Sequence, residues 1–309
     1  MSNFHSDPLD VLQEKLAKFQ HQYIKTADHK RKFELEHDIN EIKEQITELS
    51  KIYEALLTLN YSQQNATYND FCDNYSSKKI GCFLVHGKNR SLPRWLVHRL
   101  VHCVFPAETT HKKLKVSLPK EESYIDTLWK ILAHQLQINP DARSDEIVEQ
   151  VYHYWCTSTV ILLFENLHNL YQQDCKKLID EFWKPLTEMG KSRLEREGSY
   201  YLLMFLVDNT GCSSTWDIEF KELKDCDRAL PLLEPIKLPK IEEFTLEAIK
   251  IWVTKNHKLP NFPSDNNYEL DKLAKNFHTK NKGIPEDVME AICEKCDYNW
   301  SDFMKRIDL

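Results

Sequence analysis

Three apolar runs end in residues of the kinds that handle phosphate. The run Ile80–Val85 leads into His86-Gly87-Lys88-Asn89-Arg90-Ser91-Leu92-Pro93-Arg94-Trp95-Leu96. That is a strand-like stretch, a loop entered at glycine, and an amphipathic helix, the arrangement in which backbone N–H groups cradle phosphates. In the pattern G-x-x-x-x-G-K-[ST] the lysine holds the β and γ phosphates and the hydroxyl holds Mg²⁺. With the pattern set on Gly87, Leu92 stands at the second glycine, Pro93 at the lysine and Arg94 at the hydroxyl. Pro93 offers neither an N–H nor a charge. The charge stabilisation that drives phosphoryl transfer therefore has no supplier in this loop.

The run Thr159–Phe164 ends in Glu165-Asn166, and Tyr200–Val207 ends in Asp208-Asn209-Thr210. An ATPase of this kind carries its Mg²⁺-holding and water-activating acids after the third strand; here one acid is present and the second is an amide. Asp208 marks a strand end where a phosphate-sensing residue would sit. Gly87, Lys88, Asn89, Arg90, Arg94, Glu165 and Asp208 thus form a candidate vestigial nucleotide site. Lys88, Arg90 and Arg94 surround the expected helix N-terminus, which itself favours anions. His98 and His102 continue from Arg94 on the same helix face. No catalytic residue is assigned and no cofactor is required; a nucleotide is the ligand that this loop suggests.

Other chemistries find less support. The chain of 309 residues has 6 glycines, where average usage would give about 22. No two glycines have the spacing of G-x-G-x-x-G, so a dinucleotide-binding loop is excluded. There is no G-x-S-x-G elbow for a hydrolase. Cys293 and Cys296 form one C-x-x-C, but no second Cys/His pair follows at zinc spacing. The net charge is −7, which argues against a nucleic-acid partner. The opening residues lack a basic-then-apolar signal pattern, and no apolar run approaches a membrane span. A cytoplasmic protein with reduced thiols, and no membrane association, is the expectation.

The elements that must position these residues follow from periodicity. Leu9, Leu12, Leu16, Phe19 and Tyr23 step by three and four, as do Leu35, Ile39, Ile42, Ile46, Leu49, Tyr53 and Leu56. This seam fits an antiparallel hairpin, a dimerising coiled coil, or a helical pair packed on the rest of the chain. Thr26 and Asp28, in the gap between the two series, are candidate caps. Residues 61–79 are polar and without evident period, and read as a linker. Apolar strands then alternate with amphipathic helices up to a weak fifth strand at Pro235–Leu238, the pattern of a parallel sheet covered on both faces. From Phe244 onward the pattern is helical only. The expected organisation is a helical hairpin or coiled coil over 1–60, a linker over 61–79, a five-stranded parallel P-loop-NTPase-like α/β domain over 80–240, and a small helical subdomain over 241–309.

In this arrangement the chain resembles the inactive STAND modules, degenerate relatives of the signal-transduction ATPases with numerous domains. The resemblance rests on Phe83-Leu84-Val85-His86-Gly87 and on Arg94-Trp95-Leu96-Val97-His98-Arg99-Leu100-Val101. It is supported by Lys32-Phe33-Glu34-Leu35-Glu36 upstream and by the stretch from Ile284-Pro285 to Cys293, then Trp300. Such modules occur in bacterial conflict and immunity systems, often coupled to small effector-associated adaptor domains. The resemblance implies a non-hydrolysing switch or scaffold that works through protein partners, with an effector or adaptor encoded separately. Self-association through residues 9–56 is a further expectation. Two alternatives stay open: a switch that binds nucleotide without hydrolysing it, and a nucleic-acid-associated ATPase relative in defence or transposition.

Overall fold

The computed structural model describes residues 8–75, 79–87, 92–104, 111–119, 124–194, 200–226, 234–264 and 266–306. The chain divides into two compact units, one made of residues 1–60 with 242–308 and the other of residues 61–241.

The second unit is built on five parallel strands: β1 Ile80–His86, β2 His111–Ser117, β3 Thr159–Glu165, β4 Leu202–Asp208 and β5 Ile236–Lys237. Their order across the sheet is β2-β3-β4-β1-β5, so all five carboxyl ends lie along one edge. All seven residues of each of β1, β3 and β4 are buried. Their unbroken apolar runs are what a strand covered on both faces requires. β2 lies at the sheet edge; its Leu114 and Val116 are buried while Lys113 is exposed, the alternation of a one-sided strand.

Numbered along the whole chain, the helices of this unit are α3 Ser62–Asp70, α4 Leu92–Val104, α5 Ile125–Leu136, α6 Ser144–Thr157, α7 Gln172–Lys177 and α8 Lys184–Leu194. A π-helical turn, Leu178–Trp183, joins α7 to α8 in one continuous helical run. On one face of the sheet, Cys82, Leu84, Leu162, Phe164, Met204 and Leu206 pack with residues of α5, α6 and the α7–α8 run. Gly190 in α8 lies against the Trp155 ring of α6, where an added Cβ would collide with it.

Residues 61–79 differ from the linker expected of them. They form α3 and a π-helical turn, Phe71–Tyr75, and they supply an aromatic cluster. Phe83 of β1 meets Tyr68 at 5.3 Å, Phe71 at 5.0 Å and Phe205 at 5.5 Å between ring centroids. The segment is polar in composition, but Tyr61, Gln64, Tyr68 and Phe71 are all buried. They step by three and four, and Gln64 is satisfied by donating to the carbonyls of Pro239 and Lys240 at 3.1 and 2.8 Å. The period was hidden because one of its four positions is an amide.

Among the described residues, the regular elements of the first unit are helices: α1 Pro8–Lys25, α2 His29–Leu57, α9 Leu246–Lys255, α10 Asn267–Asn281, α11 Pro285–Lys295 and α12 Trp300–Arg306. Asp28 caps α2 by accepting from the N–H groups of Lys30 and Arg31 at 2.9 and 3.4 Å, as the sequence suggests. α1 lies along α2, and Leu35, Ile42, Leu49, Ile52 and Leu56 are all buried. The Trp252 indole of α9 donates to the Ala55 carbonyl at 2.9 Å and reaches the Thr58 hydroxyl at 3.1 Å. The segments expected as separate bodies over 1–60 and 241–309 thus share one unit, made of 1–60 with 242–308. Among the described residues, no helix is long and apolar enough to cross a membrane.

Candidate functional site

The carboxyl ends of β1, β3 and β4 bring Gly87, Glu165 and Asp208 to one sheet edge. Strand register sets His86 opposite Asp208 and Ser117 opposite Glu165. Gly87 directly follows β1 and donates its N–H to the Asp208 carbonyl at 3.1 Å. Lys88, Asn89 and Arg90 lie outside the described residues. Leu92, at the position of the second loop glycine, opens α4 and is fully buried. Pro93 fits the first turn of that helix, where a missing N–H costs nothing.

Arg94 and Glu165 meet. The guanidinium Nε lies 2.9 Å from Glu165 Oε1, with the two side chains 25% and 9% exposed. The other carboxylate oxygen accepts from the Ser117 hydroxyl at 2.6 Å and has Lys115 Nζ at 3.8 Å. The acid at the end of β3 is therefore held by a guanidinium, an ammonium and a hydroxyl. Mg²⁺ in an ATPase would be held there by a carboxylate and a loop hydroxyl, with waters and phosphate oxygens completing an octahedron. These residues do not fit that ion. The hydroxyl has become a cation, and the cation sits on the carboxylate itself.

Asp208 is also engaged within the chain. Its Oδ1 accepts from the N–H groups of Thr210 and Gly211 at 2.9 and 3.0 Å and from the Thr210 hydroxyl at 2.9 Å. Its Oδ2 accepts from the Ser213 N–H at 2.8 Å and the Ser213 hydroxyl at 2.6 Å. Burial raises the pKa of this carboxyl, but the Ser213 and Thr210 hydrogen bonds outweigh it and hold it below the ordinary carboxylate range. Asp208 thus fastens the turn after β4 through its hydrogen bonds from Thr210, Gly211 and Ser213. Beside it, the Asn209 amide donates to the Asn166 side-chain oxygen at 3.1 Å, so the amide in the second-acid position ties the ends of β3 and β4 together.

Lys115 and Ser117 escaped the sequence reading. They lie on the edge strand, where alternation points to packing, and only the parallel register with β3 brings them to Glu165. His86 escaped as well. It is 5% exposed, and its Nε2 lies 3.1 Å from the Leu238 carbonyl. A carbonyl only accepts, so this nitrogen carries the proton. Burial lowers the His86 pKa, Lys237 and Lys240 lower it further, and the Leu238 carbonyl and Asp208 oppose them. The His98 and His102 rings stack at 6.2 Å along α4, as their spacing predicts. Cys293 and Cys296 are buried; burial raises both thiols, Cys296 to about 12, which leaves neither poised as a thiolate at neutral pH. Among the described residues, no group of three His, Cys, Asp or Glu side chains is arranged to hold a metal ion.

Fold and site together define a P-loop-like α/β core in which the phosphate-handling positions carry other residues. Comparison with protein families gives the same class: residues 56–207 match the inactive STAND family model. The matched stretch runs from the end of α2 to the penultimate residue of β4. No curated protein matches the chain.

Proposed function

We propose that this protein is a non-catalytic signalling scaffold, a pseudo-NTPase that acts through protein partners in a bacterial defence or conflict pathway. The observation that carries the reading is the Arg94–Glu165 pair. It fills the metal-binding positions of the ATPase plan with an internal ion pair, and so supports a core kept for its shape. The family match supports the same direction, since the matched family is one of inactive modules. The pathway itself rests on the family resemblance.

Partner binding has its own support in the first unit. Ile24 and Phe33, at the turn between α1 and α2, are 78% and 75% exposed. The stretch Tyr23–Phe33 contains Lys25, Lys30, Arg31 and Lys32 against the single acid Asp28, in a chain of net charge −7. Large apolar side chains within a basic ring suit an acidic protein surface.

Two measurements test the reading. Purified protein should release phosphate from ATP at the background rate. A tagged copy in the native host should co-purify an effector or adaptor encoded beside it, and the variant Ile24→Asp/Phe33→Asp should lose that protein. Turnover above background that Glu165→Gln abolishes would contradict the proposal.

A further inference from the structure

The second unit also contains a cleft of about 820 Å³, walled by α3, the end of β1, the turn after β4 and the segment following β5. That volume is in the range of small-molecule sites, which pair apolar walls with a few placed polar groups. Ala66, Leu223, Leu238 and Pro239 are among its lining residues. His86 also lines it; its Nε2–H is committed to Leu238, so in the neutral ring Nδ1 is a bare acceptor. Neither Arg94 nor Glu165 is among the lining residues. The cleft is distinct from the ion pair described above.

Its charge is unbalanced. Lys224, Lys237 and Lys240 face Asp70 and Glu222. Glu222 is taken by Lys224 at 2.7 Å, and Asp70 accepts from the Asn74 amide. Lys237 and Lys240 have no ion-pair partner among the described residues. Two ammonium groups beside an apolar wall complement a compact dianion carried on an apolar body, and lysine binds phosphate as a point charge.

We propose that this cleft binds a small organic phosphate monoester, its phosphate between Lys237 and Lys240 and its organic part against Leu223, Leu238 and Pro239. Burial is the main cause of the lowered His86 pKa, and Lys237 and Lys240 add to it. The inference goes beyond the scaffold reading, and its failure would leave the Arg94–Glu165 argument untouched.

Phenyl phosphate is a suitable probe, titrated into the full-length protein with labelled histidine and followed by NMR. The His86 signal is assigned by its loss in His86→Gln. Phenyl phosphate should shift it saturably, inorganic phosphate should do so more weakly, and phenol should leave it in place. Lys237→Gln/Lys240→Gln should weaken phenyl phosphate binding about tenfold or more, for the loss of two charge-assisted contacts. Lys237→Arg/Lys240→Arg, which keeps both charges, should retain most of the affinity. Absence of a saturable shift, an unchanged affinity in the glutamine variant, or equal binding of phenol or inorganic phosphate would each overturn the proposal.

Discussion

Arg94 stands where a hydroxyl would hold Mg²⁺, and its guanidinium lies 2.9 Å from Glu165 instead. The physics of a mostly buried pair is asymmetric: removing one partner costs more than the pair is worth, because the other charge is left behind. Arg94→Ala should therefore destabilise the protein by about 3 kcal/mol, read as a lower urea midpoint. Arg94→Leu/Glu165→Leu should recover most of that loss. A single-variant cost near zero would mean that Lys115 and Ser117 suffice for Glu165. His86 and Asp208 set the response to acid. Both have lowered folded-state pKa values, so the unfolded chain binds the extra proton and stability is lost as pH falls. Loss of stability should begin near pH 6.5 for the histidine and steepen below about pH 4 for the carboxylate. Melting temperatures across that range should show a weaker acid limb in Asp208→Asn than in the parent, measured from each protein's own neutral value.

At the scale of elements, Gly190 gives the sharpest expectation. Glycine inside a helix is ordinarily worse than alanine by about 1 kcal/mol. Here an added methyl would meet the Trp155 ring, which is 2% exposed and holds the Tyr200 carbonyl through its indole at 3.1 Å. Gly190→Ala should cost about 1–3 kcal/mol in chemical denaturation, against its helix propensity. A stabilised variant would show that α6 and α8 separate freely. Much at this scale was legible in the sequence. The strands β1, β3 and β4 announced themselves as continuous apolar runs, and Asp28 announced the start of α2. What escaped depended on contacts remote in sequence. The helix α3 buries an amide that only the Pro239 and Lys240 carbonyls satisfy. Lys115 and Ser117 reach Glu165 only through strand pairing, and no local pattern in 113–118 records a partner 48 or more residues away. Of the proposed site residues that the structure describes, Arg94 and Glu165 meet while Asp208 is engaged by its own turn. Spacing set Gly87, Arg94, Glu165 and Asp208 near one edge, but it did not show that Asp208 would be spent on its own turn.

At the scale of the whole molecule, the first unit draws on both ends of the chain. The α2 seam is covered within the chain, and the Trp252 indole finds its acceptors at Ala55 and Thr58. A heptad-like stripe reports that a helix is covered but not by what, which is why the sequence left three readings open. Deleting residues 1–57 should expose the apolar faces of α9 to α12 and strip Trp252 of its Ala55 acceptor. Those helices should lose hydrogen-exchange protection while β1, β3 and β4 keep theirs. Equal protection in the truncated chain would mean that the C-terminal helices form a core alone.

A P-loop-like core persists here with Arg94 and Glu165 paired where the ATPase plan holds its metal. Melting temperature with ATP, in the presence and absence of Mg²⁺, tests it most directly. No Mg²⁺-dependent change is expected, in the parent protein or in Glu165→Gln. A rise of several degrees that requires Mg²⁺, and that Glu165→Gln abolishes, would contradict it.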